Sequence, residues 1–243
     1  MTVRRLIILF VLAFSAFALA TLPLAVAVSW VGLPGLRAAE ISGTIWGGSL
    51  RRVAVASHYA DQIRLAVRPL HLLAGRITTD LFVDAPGLFA QARLVRPIGG
   101  DLWRLRHGRA RLDLARLPLD DAPPLLGALD LTVAHMTADG GRCVSAEGEA
   151  VSDVLQRSGA RFQWQGPTLR GPIRCEAGRL VAALSDGQRI EAQLSVALNG
   201  AYMLDISVAD PDLTLAVGLT ALGFEQVGDR HVLKLADRGG GVS

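Results

Sequence analysis

The sequence predicts a mainly β protein: one N-terminal transmembrane helix followed by an antiparallel β-sheet. Three observations carry that prediction. An uncharged run extends from Leu6 to Leu36 between Arg4-Arg5 and Arg37. From Glu40 onward the apolar residues recur with a period of two, which is strand spacing rather than helix spacing. Glycine, proline and Asn-Gly or Asp-Gly pairs punctuate those runs at hairpin intervals.

Within the uncharged run, Leu6 to Val28 is long enough to cross the roughly 30 Å hydrocarbon core of a bilayer as a helix. A helix is the form in which a single such segment satisfies its own backbone hydrogen bonds in lipid. Arg4 and Arg5 mark the cytoplasmic end by the positive-inside rule, so the rest of the chain is expected on the opposite side. Two other readings compete. A cleavable export signal would use Ala18-Leu19-Ala20 as its cleavage site, with Ala25-Val26-Ala27 as a second match. A buried core helix would have to hide a long segment without charge. The anchor is favoured because the apolar run continues well past Ala20, and Pro23 is tolerated in membrane helices. The resulting layout is a tail at 1–5, the membrane helix at 6–28, a linker at 29–39, a β-rich domain at 40–236 and a flexible tail at 237–243.

The β reading rests on named runs. Ile63, Leu65 and Val67 alternate with Arg64 and Arg68, and Ile77, Thr79, Leu81 and Val83 with Thr78 and Asp80. Arg109, Arg111 and Asp113 alternate with Ala110, Leu112 and Leu114, and Leu129, Leu131 and Val133 follow. Further runs begin at Ile190, at Tyr202 and, after the turn Asp210-Pro211-Asp212, at Leu213. Asn199-Gly200 is the sharpest hairpin signal, because a type I′ turn needs positive φ at both central residues. Asp186-Gly187 is a similar turn. Only Asp120–Leu126 and Ser152–Arg157 read as short helices, and Pro123-Pro124 weakens the first. An antiparallel sheet with one apolar face must bury that face against a second layer, against itself, or against a lipid or protein partner.

Charge excludes one function class. The pI is about 9.4, yet the basic residues are almost all arginines, most of them scattered singly, and Lys234 is the only lysine. Without a basic run or an aromatic platform, arginines two apart along strands read as a solvated sheet face, and nucleic acid is not an expected partner. Cys143 and Cys175 are the two cysteines, and an even count in an exported domain points to one disulfide. A pair of buried free thiols is the alternative; a zinc site would need more ligands than two isolated cysteines supply.

Catalytic signals are absent from the pattern. The five histidines (His58, His71, His107, His135, His231) are isolated, with no HExxH, and there is no GxSxG, P-loop or GxGxxG. Asp120-Asp121 and Asp210/Asp212 lie in proline-containing turns, where aspartate is expected for structural reasons. Gly239-Gly240-Gly241 is a tail with nothing after it to cradle phosphate. No enzyme activity, metal or cofactor is expected.

Ile41-Ser42-Gly43-Thr44-Ile45-Trp46-Gly47-Gly48 places three glycines around a single tryptophan. Its glycines relax a tight turn and Trp46 reads as an apolar plug at the membrane-proximal end of the sheet. As an SGTxWxG element shortly after one N-terminal membrane helix, with Ser42, Gly43, Thr44, Trp46 and Gly48 as its motif residues, it resembles protein N of the bacterial type II secretion system. The linker Leu33-Pro34-Gly35-Leu36, Gly141-Arg142-Cys143, the stretch Trp164 to Pro172 followed by Cys175, Asn199-Gly200-Ala201-Tyr202 and Gly223-Phe224 extend the resemblance over essentially the whole chain. It implies a single-pass inner-membrane protein, N-terminus cytoplasmic and bulk periplasmic. It further implies a non-enzymatic part of the machine that moves folded periplasmic proteins across the outer membrane. Its partners would be other subunits of that system, one of which would meet Trp46, and its two-cysteine pattern maps onto Cys143 and Cys175. A second resemblance covers Ile41 to Gly87: a glycine turn, a strand, Arg68-Pro69-Leu70-His71-Leu72-Leu73-Ala74-Gly75-Arg76 and another strand look like the repeating unit of AsmA-like envelope proteins. That likeness implies a twisted, curved, taco-shaped antiparallel β-sheet whose apolar face holds lipid, although the chain is short for a bridge across an envelope.

Overall fold

Fourteen strands join into one antiparallel sheet in which nearly every strand pairs with its neighbour in sequence. The computed structural model describes residues 3–31, 36–55, 58–116, 126–159, 166–211, 213–221 and 223–237. The strands are β1 Leu36–Thr44, β2 Gly47–Val55, β3 His58–Val67, β4 Arg76–Ala85, β5 Leu88–Pro97, β6 Trp103–Asp113 and β7 Ala128–Asp139. They continue as β8 Arg142–Ser152, β9 Leu169–Glu176, β10 Arg179–Ser185, β11 Ile190–Val196, β12 Tyr202–Ala209, β13 Glu225–Val227 and β14 Arg230–Asp237. The single departure from sequential order is β14, which pairs with β12 and leaves β13 on the outside. The sheet is open, with β1 at one edge and β13 at the other.

The alternation read from the sequence is the alternation of the two faces. In β11, Ile190 and Ala192 are buried while Glu191 and Gln193 are exposed. The principal core gathers Leu129, Val133, Ala150, Leu169, Ile173, Ala182, Leu184, Ile190, Ala192 and Val208 from β7 to β12, closed by Leu219 and Phe224. A second, smaller core joins Leu24, Leu50 and Val53, with Val28, Ile41, Ile63 and Leu65 against it. Strands β4 and β5 lie between the two and contribute no residue to either core. Their apolar face, including Leu81, Val83, Ala92 and Leu94, is only half-buried.

The single N-terminal helix expected at Leu6–Val28 is two helices, α1 Val3–Ala20 and α2 Leu24–Val31. Pro23 explains the break, since it offers no amide hydrogen and its ring obstructs the preceding turn. The chain closes α1 around Thr21, whose amide and hydroxyl both donate to the Phe17 carbonyl, at 3.0 and 2.9 Å. From Leu6 to the break α1 offers about 22 Å of apolar helix at 1.5 Å per residue, short of a ~30 Å hydrocarbon core. Among the described residues no helix is long and apolar enough to cross a membrane. Nor is α1 a core helix: Ile7, Phe10, Leu12 and Phe17 are 57, 69, 65 and 67 % exposed.

Two further expectations are corrected. Leu213 to Val217 is not a strand but the start of α5, Leu213–Ala221. Leu215 and Leu219, four apart, pack into the principal core, whereas Val217 between them is 68 % exposed. That is helical spacing; in a strand the three would share a face. The Asn199-Gly200 hairpin is a longer loop, with β11 ending at Val196 and β12 starting at Tyr202. Only Gly200 has positive φ (93°), so the turn is not type I′. The Asn199 side chain caps the loop instead, accepting from the Ala201 amide at 3.1 Å. The short helix near Ser152 is α4, Val154–Gly159, and α3 is a single turn, Pro69–Leu72. The candidate helix at 120–126, the Asp120-Asp121 pair, Asp212, Leu33 to Gly35, Trp164-Gln165 and Gly239 to Gly241 lie at, or all but a residue within, positions outside the described residues.

Candidate functional site: the hairpin that seats the N-terminal helices

The glycine-rich element forms the hairpin between β1 and β2, with Thr44 paired to Gly47, Gly43 to Gly48 and Ser42 to Ser49 around the two-residue connection Ile45-Trp46. Gly43 has φ of +86°, and a Cβ there would stand 2.4 Å from the Gly47 carbonyl oxygen, so no other residue fits. The Ser42 and Ser49 hydroxyls bond across the hairpin at 3.0 Å.

This hairpin holds the break between α1 and α2. The Ile45 amide donates to the Leu22 carbonyl at 3.2 Å, Val67 of β3 donates to the Ile45 carbonyl at 3.2 Å, and Pro23 bridges Thr44. Trp46 Nε1–H donates to the Leu19 carbonyl at 2.9 Å. That carbonyl lies in the last turn of α1, where helix geometry leaves acceptors without an intrahelical donor. Leu24, 3 % exposed, drops into the second core beside Leu50 and Val53. Its Cδ2 passes Gly48 so closely that a Cβ on Gly48 would stand 2.6 Å away. Trp46 is half-buried. It is therefore less an apolar plug than a hydrogen-bond donor that ties the sheet to the end of α1.

The cysteines form the disulfide Cys143–Cys175, with Cα atoms 5.5 Å apart. The β8–β9 ladder runs only from Gly148–Ile173 to Ser152–Leu169, so the bridge fastens the two strands beyond the point where their pairing stops. The Cys143 amide donates to the Gly178 carbonyl in the β9–β10 turn at 2.9 Å.

A second feature, not singled out in the sequence, lies on the polar face of β2 to β6. An open hollow of about 690 Å³ is lined by Ser49, Gln62, Arg64, Asp80, Phe82 and Arg93 among others. Arg93 Nε and Arg68 Nε donate to opposite oxygens of Asp80 at 2.7 and 2.8 Å. Burial pushes the Asp80 carboxyl up, but the hydrogen bonds from Arg93 and Arg68 outweigh it and hold its pKa below the ordinary value. Arg64 lies over the Phe82 ring at 5.2 Å, and Phe82 meets Phe89 edge-on at 5.0 Å. His71, His107 and His135 are exposed and His231 is buried. Among the described residues no group of histidines, cysteines and carboxylates is placed to hold a metal ion.

The sequence model of the type II secretion system (T2SS) protein N family matches residues 34–233. The chain belongs to that family. No curated protein and no solved structure matches the chain at a significant level. The T2SS protein N match begins just before β1 and ends within β14, so it takes in all of the sheet but the last four residues of β14 and leaves α1 and α2 outside it. The hairpin described above is thus the part of the T2SS protein N region that receives the segment preceding it. As a member of this family the protein is a component of type II secretion.

Proposed function

We propose that this protein is a non-enzymatic, inner-membrane-tethered component of type II secretion whose sheet stands in the periplasm as a partner surface for other subunits. The observation that carries the tether is the exposure of α1. Its large apolar side chains are half or more open along its length while its C-terminal end is fixed to the sheet by Trp46 and Ile45. A soluble protein gains nothing from displaying such a helix, whereas lipid would cover it. Its short apolar length is met by local thinning of the bilayer and by Arg4 reaching to the headgroups. Arg4 and Arg5 set the N-terminus in the cytoplasm. The test is extraction and topology together. Alkaline carbonate should leave the full chain in the membrane fraction, and a phosphatase reporter fused after β14 should be active. Carbonate release, or an inactive reporter, would rule out this placement.

A second reading is favoured by one specific observation, the half-buried apolar face of β4 and β5 between two cores. If the sheet curves about that face, a lipid chain would complete the burial that neither core supplies, giving an AsmA-like lipid-binding role. Native mass spectrometry of detergent-extracted protein separates the two. Co-purifying secretion subunits support the first, and stoichiometric phospholipid without them supports the second.

A further inference from the structure

Strand β6 carries Arg104, Arg106, Arg109 and Arg111, and all four are exposed. Strict alternation would put Arg106 and Arg109, three apart, on opposite faces. An irregularity at His107-Gly108 prevents this. His107 adopts φ of 53°, and the register with β5 shifts so that Arg106 faces Arg93 while Arg109 faces Gln91. Arg93 and Gln91 are two apart on one strand and share a face, so Arg106 and Arg109 do too. The bulge thus lines up a row of four guanidinium groups on the polar side of the sheet while Leu105, Ala110 and Leu112 remain on the other.

The row lacks counter-charges where they would matter. Arg111 pairs with Asp130 at 3.4 Å. The guanidinium groups of Arg104, Arg106 and Arg109 make no ion pair or hydrogen bond with any described residue. Directly opposite them on β7 stand Thr137, His135 and Thr132. On β5 Arg106 meets Arg93, and one carboxylate, Asp80, already serves both Arg93 and Arg68. Like charges directly opposite across a ladder destabilise a sheet. Asp80 neutralises Arg93, and Glu147 stands 3.4 Å from His135, but among the described residues no carboxylate pairs with Arg104, Arg106 or Arg109.

We infer that the row Arg104–Arg106–Arg109, with the adjoining hollow at Arg64 and Arg93, is a docking surface for an extended acidic segment of a partner protein. Spacing selects the partner. Successive arginines two apart on a strand repeat at about 6.7 Å, the same interval as carboxylates on every second residue of an extended chain. A single phosphate would need guanidinium groups converging on one point, and these are strung out in a line. A bilayer surface is flat, whereas the row is flanked by a concavity of about 690 Å³. This inference rests on the charge arrangement alone and stands whether or not the membrane placement proposed above is correct.

The test uses the full chain in a neutral detergent and a fluorescein-labelled peptide of about ten residues alternating glutamate and threonine, read by anisotropy. The control peptide replaces glutamate with glutamine. The acidic peptide should bind and the control should not. Raising salt from about 0.05 to about 0.5 M should abolish binding, because the charges are exposed. The triple variant R104Q/R106Q/R109Q should bind roughly tenfold more weakly, and the triple lysine variant should retain most of the binding. R106Q alone should melt at the same temperature as the parent or higher, since it removes a like-charge contact. Absence of peptide binding, equal binding by the triple glutamine variant with its fold intact, or arginine-dependent capture of phosphatidylglycerol vesicles without peptide binding would each overturn the proposal. If the triple glutamine variant fails to fold, the single substitutions R104Q and R109Q, which touch no internal partner, decide the same question.

Discussion

Removal of the Cys143–Cys175 bridge offers the most quantitative check on the sheet. The two residues are separated by 32 positions. Closing a loop of that length lowers the entropy of the unfolded chain by an amount worth about 3–4 kcal/mol at 25 °C. Against a global stability of the usual 5–15 kcal/mol, that loss is large. The double variant Cys143→Ala/Cys175→Ala should therefore unfold at lower urea, read as the midpoint of a tryptophan-fluorescence or circular-dichroism transition. Cys143 is 5 % exposed, so alanine also leaves a small void and the loss should not fall below the loop term. The effect also has a place. Beyond Gly148 the β8–β9 ladder has ended, so hydrogen exchange should speed up most at the Arg142 end of β8, ahead of the paired Gly148–Ser152 stretch. A reduced protein with an unchanged urea midpoint, or acceleration spread evenly over β8, would refute this reasoning.

Four other substitutions test the seat, the close approach of β9 to β10 and the electrostatics. Leu24→Ala should loosen the seat by about 2–4 kcal/mol through lost burial, and Trp46→Phe by about 1 kcal/mol through one lost hydrogen bond. Both are read locally as faster exchange of the Ile45 and Val67 amides. Gly171→Ala should block folding or shift β9 from β10, because a Cβ there would stand 1.7 Å from the Ala183 carbonyl oxygen; a melting temperature equal to the parent's would contradict that close approach. Asp80 has a folded pKa below its unfolded value, so its stabilisation is present above the unfolded value near 3.8 and is lost as pH falls through the folded one. Asp80→Asn should thus destabilise at pH 7 and converge with the parent in strong acid, which paired melts at several pH values will report.

Much of the sheet was legible because large apolar residues alternate with polar ones, as in β3, β4, β11 and β12. Strand β8 was not, because its core-facing positions are Ala146, Gly148 and Ala150, and Ala150 is completely buried. Small residues pack where strands approach closely but leave no hydrophobic signal. The segment after Pro211 misled for the opposite reason: Leu-Thr-Leu-Ala-Val-Gly-Leu is apolar enough to fit either period, and packing of Leu219 beneath Phe224 decides for the helix. The cysteine pair and the hairpin glycines were visible as composition. The bond from Trp46 to Leu19 was not, since it joins residues 27 apart across a helix break. The arginines were visible as a solvated face, but which of them meet head-on depends on the irregularity at His107.

In the function proposed here, this chain serves type II secretion from the membrane, through a helix seated on the SGTIWGG hairpin. Secretion of an endogenous substrate into the medium, measured in cells lacking the gene, tests it most directly. The full chain should restore secretion. A chain whose α1 is exchanged for a cleavable export signal, stable and disulfide-bonded in the periplasm, should restore little. Trp46→Ala should fall between the two. Normal secretion without the gene, or full rescue by the version lacking α1, would contradict it.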